Sequence, residues 1–186
     1  MLPSPVFEKT LMFEAKQDEC LKKMTELGSK ALPISGLCFD GNVVYARLSG
    51  SEKAVLAAEK TLRGSAFLGH SDFWRDLRDH RLPFFPRGKD LWRFSVAPAV
   101  SQICIEGDWF YDWGGAQRWL KSDEPADAVF TAAEEADGHA ALFHGKGRSG
   151  EVFQPLPEKL RQLNFNLKQA FDPDGILNPN RMNRDW

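Results

Sequence analysis

The sequence predicts an α+β fold in which helices pack mainly on one face of an antiparallel sheet. Two hairpin signals, at Asp40-Gly41 and Gly114-Gly115, each sit between apolar runs and require antiparallel pairing. Helical periodicities alternate with these hairpins, and such alternation is the mark of sheet-plus-helix layering. The chain also opens in the order strand, helix, strand, which suggests a ferredoxin-like split arrangement.

The elements follow in order. "VFEKTLMF", residues 6–13, reads as a strand. Cys20, Met24 and Leu27 recur at helical spacing over 15–27, and Gly28 suits the helix end. "PISGLCF", Asp40-Gly41 and "NVVYARL" form the first hairpin, because Asp-Gly supplies the positive φ angles of a tight turn. Ser51 is placed to cap a helix to about Leu62, with Val55, Ala58 and Leu62 inward. Ser71 or Asp72 then caps a helix carrying Phe73, Trp74 and Leu77. "RLPFFPRG" is irregular, since Pro83 and Pro86 bracket it. "LWRFSVAP" is a strand with Trp92, Phe94 and Val96 on one face, and "DWFYDW" and "AQRWL" flank the second turn. A helix bearing Ala126, Val129, Phe130 and Ala133 ends at Gly138, and "HAALFH" follows as a strand. The last helix directs Leu156, Leu160, Leu163 and Leu167 inward and stops at Pro173. No internal repeat is legible, and residues 1–186 read as one domain.

Composition narrows the function. With 24 basic and 26 acidic residues the chain has no surplus charge for a phosphate backbone, so nucleic acid is not expected as a partner. No apolar stretch has the length of a membrane span, and the N-terminal residues lack the pattern of a secretory signal. Cys20, Cys38 and Cys104 are widely spaced without a CxxC pair, which fits a reducing cytoplasm. His139 and His144 lie five apart on an expected strand, which puts them on opposite faces and argues against a shared metal. "GHAALFHGKGRSG" is glycine-rich but matches no phosphate-binding pattern.

The second hairpin holds the main candidate site. A two-residue turn pairs Tyr111 with Arg118 and puts Trp109, Tyr111, Trp113 and Arg118 on one face, with Phe110, Asp112 and Trp119 on the other. An arginine walled by aromatic rings can grip a carboxylate in bidentate fashion. It can equally stack on a ring as ordinary packing. Tyr111, Trp113 and Arg118 are therefore candidate substrate-binding residues. Arg118 and His139 are the candidate catalytic residues.

The tail, "FDPDGILNPNRM", reads as two turns, Asp172-Pro173-Asp174-Gly175 and Asn178-Pro179-Asn180, around an apolar Ile176-Leu177 pair. This segment resembles the C-terminal signature of the FAD-linked oxidases, with Asn180 where glycine is usual. "LPISGLCFDG", "LPFFPRGKDLWRFSV" and "DWGGAQRWLKS" extend the resemblance to the FAD-binding subunits of bacterial glycolate oxidases, from about Leu11 to Met182.

The resemblance implies a ferredoxin-like cap domain, residues 1–186, that covers the flavin ring on the substrate side. It implies FAD as cofactor, held mostly by an N-terminal domain absent from this chain, with Asn178 and Arg181 as cofactor-side residues in the tail. It further implies a small 2-hydroxy acid as substrate, with a catalytic flavin subunit and an iron–sulfur subunit as partners. The complex would be cytoplasmic and peripherally membrane-associated. The histidine-rich metal motif of the related catalytic subunit has no counterpart here, so a structural or electron-relay role stays open beside catalysis. A stand-alone small-molecule-binding or protein-interaction domain without redox activity is the alternative.

Overall fold

Alternation of apolar side chains builds a single eight-stranded antiparallel sheet. The structure, a computed structural model, describes residues 5–85, 88–145 and 152–179, apart from the side chains of His70 and Ser71. The chain divides into two compact units, residues 1–146 and 147–186.

The first unit carries β1 (Phe7–Glu14), α1 (Gln17–Gly28), β2 (Ile34–Phe39), β3 (Val43–Gly50), α2 (Glu52–Leu62), β4 (Ser65–Phe67) and α3 (His70–Arg78). It continues through β5 (Asp90–Ser95), β6 (Asp108–Asp112), β7 (Gln117–Ser122), α4 (Ala126–Glu135) and β8 (His139–His144). Strand order is β4-β1-β3-β2-β6-β7-β5-β8. Read outward from the middle, each half runs second, third, first and fourth strand of its own set, so the ferredoxin-like arrangement occurs twice. The halves differ by one helix. Residues 96–107 cross without one where the first half has α1.

The two copies share local chemistry. Both hairpins carry an aromatic–Asp pair before the turn, Phe39-Asp40 and Tyr111-Asp112, and the halves join by antiparallel pairing of Phe39 with Tyr111. In each half the helix after the hairpin ends in a left-handed residue followed by glycine: Arg63 (φ 56°) before Gly64, and Asp137 (φ 51°) before Gly138. A Cβ on Gly64 would lie 2.6 Å from the Phe13 ring, and one on Gly138 would lie 2.5 Å from the Ser95 carbonyl oxygen. Both glycines therefore let the chain turn tightly against the first strand of their half.

Core residues sort by strand parity. Leu37, Phe39, Val44, Ala46, Trp92, Phe94, Trp109, Tyr111 and Leu120 face α1 and α4, packing on Cys20, Met24, Leu27, Val129, Phe130 and Ala133. Leu11 and Leu48 meet Val55 and Ala58 of α2. The other face is covered by α3 and the irregular residues after it, through Phe73, Trp74, Leu77, Phe84 and Phe85. Three helices thus share one face, as expected, and α3 takes the opposite one. The short strand β4 and the start of α3 at His70 escaped the sequence reading.

The covering segment binds the two halves equivalently. Tyr45 packs against Phe67 and Phe73 (ring centroids 5.4 and 4.3 Å), and Trp119 packs against Phe143 and Phe85 (5.0 and 5.5 Å). Two residues beyond each central ring, Arg47 stands over Trp74 and Lys121 over Phe84. The order Phe73-Trp74 is reversed in Phe84-Phe85, as it must be for one segment crossing a two-fold relationship.

In the second unit α5 (Glu158–Phe171) has no buried residue. Leu160, Leu163 and Leu167 are exposed rather than inward, because the described residues of this unit supply no partner for that stripe.

Alanine at Gly138 meets backbone that cannot yield, whereas alanine at Gly64 meets a ring that can rotate. Gly138→Ala is expected to cost about 2–3 kcal/mol and Gly64→Ala less, in the range of overpacking penalties. Urea denaturation of both variants checks the order.

Candidate functional site

The hairpin register is as the sequence predicts: Tyr111 pairs with Arg118 and Asp112 with Gln117. Gly114 (φ 66°) and Gly115 (φ 95°) make the turn, closed by the Ala116 N–H donating to the Trp113 carbonyl at 3.3 Å. Trp109 and Tyr111 face the helices, while Phe110 and Trp119 face away.

Arg118 is fully buried. Its guanidinium lies 5.3 Å from the Tyr111 ring centroid. Nε donates to the Gly115 carbonyl at 3.0 Å, Nη1 to Ser101 at 2.7 Å and Nη2 to Val100 at 2.5 Å. Burial lowers its pKa from the usual value, opposed by the Tyr111 and Cys20 groups beside it. The fork that was expected to hold a substrate carboxylate is thus engaged by backbone. A cleft of about 480 Å³ lies between α1 and residues 98–102, lined in part by Val100 and Ser101, but Arg118 is behind that wall. Arg118 ties the crossover of the second half to its hairpin.

The other candidates scatter. Tyr111 is fully buried and its hydroxyl makes no well-formed hydrogen bond, and burial raises its pKa. Trp113 is 70 % exposed at the hairpin tip, whereas Arg118 is fully buried. His139 is exposed at the start of β8, paired with Ser95. The parity argument for His139 and His144 needs correction. A register shift pairs Leu91 with His144 but Trp92 with Leu142, so the extra residue returns both histidines to one face. They remain roughly 13 Å apart along the strand, beyond a common metal. Among the described residues no group of three or more His, Cys, Asp or Glu could hold a metal ion.

Sequence reasoning missed His80. Its backbone is left-handed (φ 52°), and its ring lies 4.5 Å from Phe85, 4.8 Å from Trp119 and 5.0 Å from Phe143. Burial among these rings lowers its pKa, opposed by Asp79. Thiol chemistry is confined by burial: the Cys20 thiol is pushed up to about 11 and donates to the Gln17 carbonyl, and Cys38 is pushed well up. Cys104 is exposed.

The tail is built around Asp172. Its carboxylate accepts the Ile176 N–H at 2.9 Å and the Leu177 N–H at 2.8 Å, and pairs with Lys168, which also donates to the Leu177 carbonyl. The Gly175 N–H closes the expected turn on the Asp172 carbonyl at 3.1 Å. Ile176 and Leu177 are thereby held outward, 73 % and 60 % exposed. Asn178 is left-handed (φ 47°) and exposed, whereas Asn180, completing the second expected turn, and Arg181 lie outside the described residues.

Two outcomes follow from this geometry. Arg118→Lys and Arg118→Met both remove hydrogen bonds to the Gly115, Val100 and Ser101 carbonyls, so each is expected to lose on the order of 3 kcal/mol in denaturant unfolding. The Lys168 hydrogen bond holds the Asp172 carboxyl below the usual carboxylate range. A depressed carboxylate stabilises above its unfolded pKa and less as pH falls through its folded one. Protection of the Ile176 and Leu177 amides, measured against intrinsic exchange at the same pH, should accordingly be present near neutrality, fall below about pH 4, and be small at every pH in Asp172→Asn.

No family model matches the chain. The chain is 38 % identical over 182 residues, 98 % of its length, to the glycolate oxidase subunit GlcE of Escherichia coli (strain K12). It spans about half the length of this curated relative, 51 %, in the relative's C-terminal half.

Proposed function

We propose that this chain is the C-terminal cap domain of an FAD-dependent oxidoreductase subunit that acts on glycolate or a similar 2-hydroxy acid. The observation that carries the reading is the 38 % identity to GlcE over nearly the whole chain. The relative is named as a glycolate oxidase subunit, which supports a multi-subunit complex; flavin and iron–sulfur subunits are the partners this reading proposes. No helix among the described residues is long and apolar enough to cross a membrane. Membrane contact of the complex would then be peripheral.

FAD needs a site for its diphosphate, and the described residues do not fit that part. Each of the five helices carries an acidic residue in its first turn: Asp18 and Glu19, Glu52, Asp72, Asp127 and Glu158. These carboxylates oppose an anion where a helix N-terminus would otherwise attract one. The diphosphate and adenine therefore belong to a preceding domain, and this chain approaches the flavin ring alone. The apolar stripe of α5 and the outward Ile176-Leu177 pair supply a surface for that domain, with Asn178 beside it. Arg118 serves the fold in this reading, and Tyr111 supports it from the core.

The purified 186-residue chain is expected to be colourless, while the longer gene product co-purifies with stoichiometric flavin and is reduced by glycolate. Flavin absorbance on the chain alone would relocate the binding site here. A flavin-free longer product would leave the interaction-domain alternative.

A further inference from the structure

Trp113 stands where this fold uses glycine. Pairing of Phe39 with Tyr111 makes Asp40 the counterpart of Asp112 and Gly41 the counterpart of Trp113. Gly41 has φ 111° and Trp113 has φ 50°, so both positions take the left-handed half of conformational space. A bulky L-residue is disfavoured there. The Asp112 carboxylate accepts the Trp113 N–H at 2.8 Å and helps fix the conformation. The indole is 70 % exposed at the hairpin tip. A left-handed backbone held in place under a large and mostly exposed aromatic side chain points to a contact beyond the described residues.

We infer that Trp113 is a rigidly presented anchor for an apolar pocket in the preceding half of the same polypeptide. This rests on the reading of the chain as a cap domain. The relative is about twice as long as this chain. A tethered half meets the hairpin at high effective concentration, so one aromatic anchor is enough. A separate subunit would need a far larger buried patch around it.

The test compares this chain with the longer gene product, both labelled with 5-fluorotryptophan, the Trp113 resonance being assigned through Trp113→Phe. In the chain the resonance should show the full solvent isotope shift of an exposed indole, and in the longer product that shift should vanish. Trp113→Gly should leave unchanged or raise the melting midpoint of the chain, yet lower that of the longer product. An indole still solvent-shifted in the longer product overturns the inference. So does protection that appears only with added subunits, or in the chain alone as its concentration rises. A Trp113→Gly midpoint that does not fall in the longer product overturns it as well. Flavin content of the same preparations judges the cap-domain reading separately.

Discussion

The sheet depends on a narrow seam. Each half is internally well paired, with eight register pairs between β1 and β3 and six between β5 and β7, but among the described residues Phe39 and Tyr111 form the one register pair between halves. Backbone hydrogen bonding therefore contributes little to holding the halves together, and side chains carry the joint. On one face Phe39 and Tyr111 contact each other at 5.8 Å beneath the α1 residues Cys20 and Met24. On the other face one covering segment crosses from the rings around Tyr45 to those around Trp119. Arg118 lies behind Tyr111 and fixes residues 100–101, which would otherwise have no helix to order them.

This arrangement explains the aromatic richness of a chain with 14 Phe and 6 Trp. A duplicated sheet with a weak seam needs large, flat side chains that span the join, and rings bury the most area for the fewest torsions. The repeated sockets are geometrically related but chemically different: Tyr45 reaches Asp40 through its hydroxyl, whereas the Trp119 indole nitrogen is buried without a partner. His80 occupies the second socket only.

Much of the fold was legible because it rests on local signals. Asp40-Gly41 and Gly114-Gly115 specify turns through φ alone, and the alternation in "RWL" and "DWFYD" specifies faces through the pleat. The duplication was not legible, since it resides in strand order and one copy had exchanged a helix for an extended crossover. The candidate site shows the same division. The Tyr111–Arg118 neighbourhood followed from register, but what occupied the guanidinium did not. Val100 and Ser101 are far away in sequence and offer backbone carbonyls, which leave no trace in side-chain identity. The histidine parity argument failed for a related reason: an extra residue in β8 shifts the pleat, and no glycine or proline announces it.

Burial of two thiols and exposure of the third make this chain a natural single-label protein. Cys20 and Cys38 sit in opposite core layers with their thiolates disfavoured, while Cys104 lies open on the crossover. A maleimide dye or spin label would thus attach at Cys104 without mutagenesis. It would report from the crossover that one arginine holds to the sheet by two hydrogen bonds, at Val100 and Ser101.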